Sequence, residues 1–187
     1  KQIGKLLGFV PQKGILFSGT IASNVRFGNQ EASDELVKKA VAIAQAKDFV
    51  EEKRLGYESA IAQGGTNVSG GQKQRLAIAR AIAKEPKIYV FDDSFSALDY
   101  KTDVALRQAL KQETKDSTVL IVAQRISTIL QAEQIIVLDE GKMVGKGTHQ
   151  ELMQTCEVYR QIAQSQLSPK EIEQSMRGEQ VDTPDGK

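Results

Sequence analysis

The stretch "IYVFDDSFSALD", residues 88 to 99, sets two adjacent carboxylates, Asp92 and Asp93, at the end of an apolar run. In an open parallel sheet, ligands gather at the carboxyl ends of the strands. Asp92 in that position is an acceptor-only group suited to Mg²⁺, which keeps several waters and takes few carboxylates. Asp93, one residue on, faces another direction and can orient an attacking water as a general base. The chemistry this pair points to is metal-assisted phosphoryl transfer. A strand end capped by solvated acids has the same local sequence, and the pair alone does not separate the two.

A second constellation is "TNVSGGQKQRLAIARAI", residues 66 to 82. Ser69 and Gln72 have the spacing of a capping box, and Gly70 and Gly71 strip side-chain bulk from the first turn. Bare amides beside a serine hydroxyl at a helix start form a ready anion site. An ordinary capped helix does not account for two glycines there, each costing about 1 kcal/mol relative to Ala. The third candidate is Gln12, after "GFVP" and before Lys13-Gly14, where a side-chain carbonyl can reach a metal. The only cysteine, Cys156, cannot form an internal disulfide, fits a reducing compartment and reads as a packing residue. The only histidine, His149, lies in a capping stretch and reads as a surface or capping residue. Asn67-Val68-Ser69 matches a glycosylation sequon, read as accidental in a chain of this character.

The elements that must position these residues alternate in type, which predicts an α/β fold with a mostly parallel sheet. "LLGFV" (6–10) reads as a strand halted by Pro11, and "KIYVFD" (87–92) and "TVLIVA" (118–123) as strands covered on both faces. "QIIVLD" (134–139), "EGK" and "MVGKG" read as a β-hairpin at one side of the sheet. Apolar spacing predicts helices within 33–46, 70–85 and 103–114, and Thr148 to Glu151 form a capping box opening another. The expected organisation is a core strand and glutamine-bearing loop over 1–12, a helical subdomain over 13–86, the rest of the core over 87–166, and a polar, frayed tail over 167–187. With 187 residues, 40% hydrophobic, the chain is long enough to bury a substantial core. A net charge of +1 argues against nucleic acid as a partner. No run of 18 or more apolar residues occurs.

"SGGQKQRLAIARAI", "IYVFDD" and "SALD", in that order and at these separations, resemble the ATPase domain of an ATP-binding cassette (ABC) transporter. "VPQ" at Gln12 is similar to the family's glutamine loop, "VSGGQ" (68–72) to its signature and "IYVFDD" to its second nucleotide motif. "LFSGTIASNVRFG" (16–28) and "GKMVGKGTHQEL" (141–152) resemble the exporter branch. The resemblance implies a partial RecA-like, P-loop ATPase core with an inserted helical subdomain, and ATP and Mg²⁺ as cofactors. It implies that Gln12 and Asp92 face the metal. Ser69, Gly70, Gly71 and Gln72 would cradle the γ-phosphate of ATP bound on a second ABC ATPase domain, and Asp99 would lie at the seam of the two. The segment from Gln12 to Phe27 would meet a transmembrane domain of the same full-length chain, at the cytoplasmic face of the cell membrane.

Three features depart from that pattern. No G-x-x-x-x-G-K-[ST] phosphate loop occurs, which predicts a carboxy-terminal piece of a longer protein that binds ATP poorly by itself. Asp93 stands where the family places Glu, shorter by one methylene, about 1.5 Å. Gln124 stands where the family's switch histidine follows the strand; it keeps an amide for a phosphate but lacks the imidazole's charge options. An impaired catalytic pair, Asp93 and Gln124, beside a whole signature resembles the degenerate-site subunit of a heterodimeric multidrug-type exporter. Its signature would complete the active site of a different partner subunit. The alternatives are a soluble ABC-type ATPase and a non-hydrolysing regulatory ABC domain.

Overall fold

The computed structural model describes residues 3–179 and 181, apart from the side chains of Ile3 and Lys5. The chain forms two compact units, Lys1–Val122 and Ala123–Lys187.

In the first unit, α1 (Ile3–Leu6) leads into β1 (Leu7–Val10), which Pro11 ends. A long excursion follows: β2 (Gly19–Thr20), α2 (Ile21–Val25), α3 (Asp34–Ile43), α4 (Lys47–Glu51), β3 (Ala60–Ile61) and α5 (Gly70–Ala83). The chain then returns as β4 (Ile88–Asp92), α6 (Tyr100–Glu113) and β5 (Thr118–Val122). β4 is the centre of a three-stranded parallel sheet of order β1-β4-β5, with Val10 opposite Phe91 and Asp92 opposite Val122. Parallel pairing puts the carboxyl ends of all three strands at one edge.

The core of this unit is built on α5. Its Leu76, Ile78, Ala79, Ile82 and Ala83 are buried against residues of α2, α3 and the sheet. The alanines let neighbouring backbones come close, while Leu and Ile fill the space between them.

The sheet differs from the expectation that 87–92 and 118–123 are covered on both faces. Val10, Tyr89 and Phe91 are buried, whereas Phe9, Ile88, Leu120 and Val122 on the alternate positions are exposed, Leu120 by 52%. Among the described residues one face of the sheet is covered. A continuous apolar run does not reveal which of its two faces finds a cover.

The second unit begins past β5. β6 (Ile135–Asp139) and β7 (Lys142–Gly147) form an antiparallel pair of their own, closed by Glu140-Gly141, both with positive φ. That conformation matches the two-residue turns that suit strand twist. This pair is a separate two-stranded sheet, not a continuation of β1-β4-β5. α7 (His149–Thr155), α8 (Glu157–Gln166) and α9 (Pro169–Met176) follow. A second apolar cluster joins Ile135, Val137, Leu152, Tyr159 and Ala163, with Ile172 and Met176 packed against it.

Two expectations are corrected here. The segment after 167 is not a frayed polar tail throughout: Ser168 and Glu171 form a capping box, Pro169 opens the helix, and Ile172 and Met176 give α9 a narrow apolar face. An i, i+4 pair is too short a stripe to stand out among polar neighbours. The expected fraying of 180 and 182–187 lies outside the described residues. His149 is not a surface residue but is fully buried. Its Nδ1 meets the Tyr159 hydroxyl and its Nε2 the Ser175 hydroxyl, each at 2.9 Å. Ser175 donates its own proton to the Ile172 carbonyl, so His149 Nε2 is the donor and Nδ1 accepts from Tyr159. Burial lowers the His149 pKa. Cys156 is buried, in keeping with a packing role.

Candidate phosphate and metal site

At the shared edge of the parallel strands, the chain turns out of β4 through Asp93, which adopts positive φ (46°). Asp tolerates this left-handed region better than most residues. The Asp93 N–H donates to the Val122 carbonyl at 2.8 Å, and the buried Ser94 hydroxyl donates to the Val10 carbonyl at 2.7 Å. The turn after β4 is therefore tied to both neighbouring strands.

Held this way, the Asp93 carboxylate accepts a 3.1 Å hydrogen bond from Gln12 Nε2, which comes from the loop after β1. With its amide nitrogen on Asp93, Gln12 keeps its Oε1 as an acceptor. Asp92, half-buried, ends β4 one residue before. Among the described residues no group of three or more His, Cys, Asp or Glu is placed to hold a metal. Two oxygen donors at an open edge nevertheless fit Mg²⁺, which binds through one or two carboxylates plus waters and substrate phosphates rather than in a protein cage.

The second site is the start of α5. The Ser69 hydroxyl accepts from the Gln72 N–H at 3.2 Å, and Gln72 Oε1 accepts from the Ser69 N–H at 3.1 Å. This completes the capping box and leaves the Gly70 and Gly71 amides as the open donors of the first turn. A Cβ on Gly70 would meet nothing within 4 Å, and one on Gly71 would lie 3.4 Å from the Ala97 carbonyl. Among the described residues nothing calls for glycine at 70.

Asp99 caps α6, accepting from the Thr102 N–H at 2.9 Å and the Thr102 hydroxyl at 2.7 Å. These bonds, with help from the Arg75 charge, hold its carboxyl below the usual carboxylate range. Gln124 belongs to the second unit, where its side chain is exposed and its carbonyl accepts from Gln166 Nε2 at 2.9 Å. The structure thus brings Gln12 to Asp93 in one corner, and holds Ser69–Gln72 and Asp99 at two capped helix starts.

Sequence reasoning missed two supports. Gln74 is a buried polar residue on α5, and its position among Leu76, Ile78 and Ala81 is the signal that could have marked it. The Arg80 guanidinium donates to the carbonyls of Ile15 and Asn24, each at 2.9 Å, and lies under the stacked rings of Phe17 and Phe27. Burial lowers its pKa. Together they display Ile15, Phe17 and Phe27 on the surface, with exposures of 57, 42 and 57%. Asn67, part of the sequon, serves locally: its side chain bridges the Ala60 carbonyl and the Ala62 N–H.

The family model described as ABC transporter matches residues 1–96. An uncharacterized ABC transporter ATP-binding protein of Mycobacterium tuberculosis is 47% identical over 169 residues, which cover 89% of this chain and 29% of that one. A putative export ATP-binding/permease protein of Rickettsia conorii is 40% identical, covering 89% of this chain and 29% of its own. Among solved structures, a bacterial Atm1-family ABC exporter with ATP bound superposes with a TM-score of 0.84 at 35% identity, covering 88% of this chain and 29% of that one. The chain therefore spans under a third of the length of these relatives.

Proposed function

The chain belongs to the ABC transporter family, and from that premise we propose that it supplies part of the ATP-binding domain of a membrane exporter, at the membrane's cytoplasmic face. In this reading Asp92 and the Gln12 carbonyl hold Mg²⁺, and Asp93 accepts the proton of an attacking water. ATP would supply the scissile phosphate, and Mg²⁺ held there would offset negative charge on its oxygens. The Asp93 side chain is one methylene short for a general base, which must reach within roughly 2.6–3.2 Å of its proton or work through a water. Turnover at this chain's own site is therefore slow. Gln124, with no titrating imidazole, would support phosphate contact without a charge switch.

The observation that carries the reading is the unshared start of α5. Ser69 and Gln72 satisfy each other, the Gly70 and Gly71 amides have no intrahelical acceptor, and a Cβ at 70 would meet nothing within 4 Å among the described residues. Such donors suit a phosphate brought by a second ABC ATPase domain. Because the signature is whole and the Asp93/Gln124 pair is altered, the second domain belongs to a different subunit whose own site is fast. Asp99 lies at the seam between them. The display of Ile15, Phe17 and Phe27 suits contact with a transmembrane domain. Crosslinking tests the assignment. A cysteine at Ser69 in the full-length protein should form an ATP-dependent disulfide with one in the partner subunit's phosphate loop. Crosslinks that form only between two copies of this chain would contradict it.

A further inference from the structure

Gln12 stands in an exposed loop, yet its amide meets Asp93 in a defined geometry. Something must hold the loop. The Gln74 side chain, 1% exposed, does so from both sides: Nε2 donates to the Pro11 carbonyl at 3.0 Å, and Oε1 accepts from the Gly14 N–H at 2.8 Å. These two bonds straddle Gln12. A second feature fixes the same loop. A Cβ on Gly14 would lie 2.8 Å from the Lys73 carbonyl oxygen and 3.1 Å from Gln74 Cα. Only glycine lets the loop backbone press onto α5 at that point.

We propose that Gln74 is a positioning residue that sets Gln12 against Asp93 and fixes the glutamine-bearing loop to the helix whose first turn is Gly70–Gln72. A displacement of α5 would then be passed to Gln12 through one amide group. α5 starts at the phosphate-binding turn proposed to serve the partner subunit, and the loop serves this chain's own site. Gln74 joins the two within a single chain. This inference rests on the proposed nucleotide-binding role.

The test uses the full-length protein assembled with its partner in lipid vesicles. Gln74→Leu removes both bonds, Gln74→Glu keeps an acceptor for Gly14 but cannot donate to Pro11, and Gly14→Ala pushes the loop off α5 while leaving Gln74 in place. Two readouts apply: hydrogen exchange across residues 11–14, and the Mg²⁺ concentration needed to retain a non-hydrolysable ATP analogue. Exchange over 11–14 should accelerate at least tenfold in Gln74→Leu and Gly14→Ala, with the middle of α5 unchanged and Gln74→Glu intermediate. The Mg²⁺ requirement should rise several-fold in the same order. In a Gln12→Ala background, Gln74→Leu should still speed exchange over 11–14 but raise the Mg²⁺ requirement no further, because it acts on the metal site through Gln12. An additive rise in the Mg²⁺ requirement in that background, or unchanged exchange at 11–14 in Gln74→Leu alone, would overturn the inference and leave the nucleotide-binding reading standing. Failure of the wild-type assembly to retain nucleotide at all would overturn both.

Discussion

The strand-end corner and the start of α5 handle their polar groups in opposite ways. At the corner, Gln12 donates to Asp93, Asp93 donates its own N–H to Val122, and Ser94 reaches back to Val10. The Gln12 amide nitrogen, the Asp93 N–H and the Ser94 hydroxyl each find a partner in the chain, and the Gln12 Oε1 is kept as an acceptor. At the start of α5, Ser69 and Gln72 satisfy each other while two glycine amides have no intrahelical acceptor, and a Cβ at position 70 would meet no described residue within 4 Å. One region is internally tied and the other is built to receive something. That contrast is what the proposed division of labour between two subunits would call for. In the proposed reading a short carboxylate is tolerated at a slow site, while donors offered to a partner's site stay bare.

The contrast breaks most visibly at Gly70. Gly70→Val keeps the backbone N–H but sets a branched side chain where the phosphate would approach, and should lower ATP turnover by the full-length assembly about 10²-fold, the scale of misplacing a reacting group by 1 Å. Stability of this chain should change by less than about 1 kcal/mol, since the new side chain meets nothing here. Equal losses of fold and turnover, read by thermal melts beside steady-state kinetics, would mean that position 70 is structural. Gln12→Ala probes the other region. It removes one exposed hydrogen bond and should alter stability by no more than about 1 kcal/mol. Nucleotide retention at this chain's own site should need several-fold more Mg²⁺.

Smaller effects separate capping from chemistry. Asp99→Ala should cost about 1 kcal/mol of helix stability, seen as a lower urea midpoint. The Asp99 carboxyl is depressed when folded, so its contribution is present at neutral pH and fades only as pH falls below about 4. His149 offers a control remote from either region in sequence. Its pKa is lowered by burial, so the unfolded chain takes up a proton first. Stability should fall as pH drops through about 6.5 toward the folded value. His149→Asn should flatten that part of the profile in melts at pH 7.5 and 5.5.

The sequence makes the local features of the site plain and leaves the long-range ones hidden. The caps at Ser69 and Thr148 are i, i+3 patterns, and both form as their spacing implies. The parallel strands around Asp92 follow from apolar runs separated by helices. The Gln12–Asp93 bond joins residues 81 apart, and no spacing rule predicts it. Gln74 was missed because a buried amide on an otherwise apolar helix face looks like a surface residue until the loop it clasps is known. His149 was misplaced for a related reason. Its capping-box neighbours Thr148 and Glu151 are half-buried and exposed, and its hydrogen-bond partners Tyr159 and Ser175 come from two later helices. The one-sided cover of β4 and the exposure of β5 likewise depend on tertiary packing, which an apolar run does not encode.

The most direct measurement is Asp93→Glu in the full-length protein assembled with its partner subunit, followed by ATP turnover at this chain's own site with the partner's site inactivated. Restoring the missing methylene should raise that turnover by about tenfold to a hundredfold, since a 1 Å misplacement of a reacting group costs on that order. An unchanged rate would contradict the claim that the short carboxylate at 93 is what keeps this site slow.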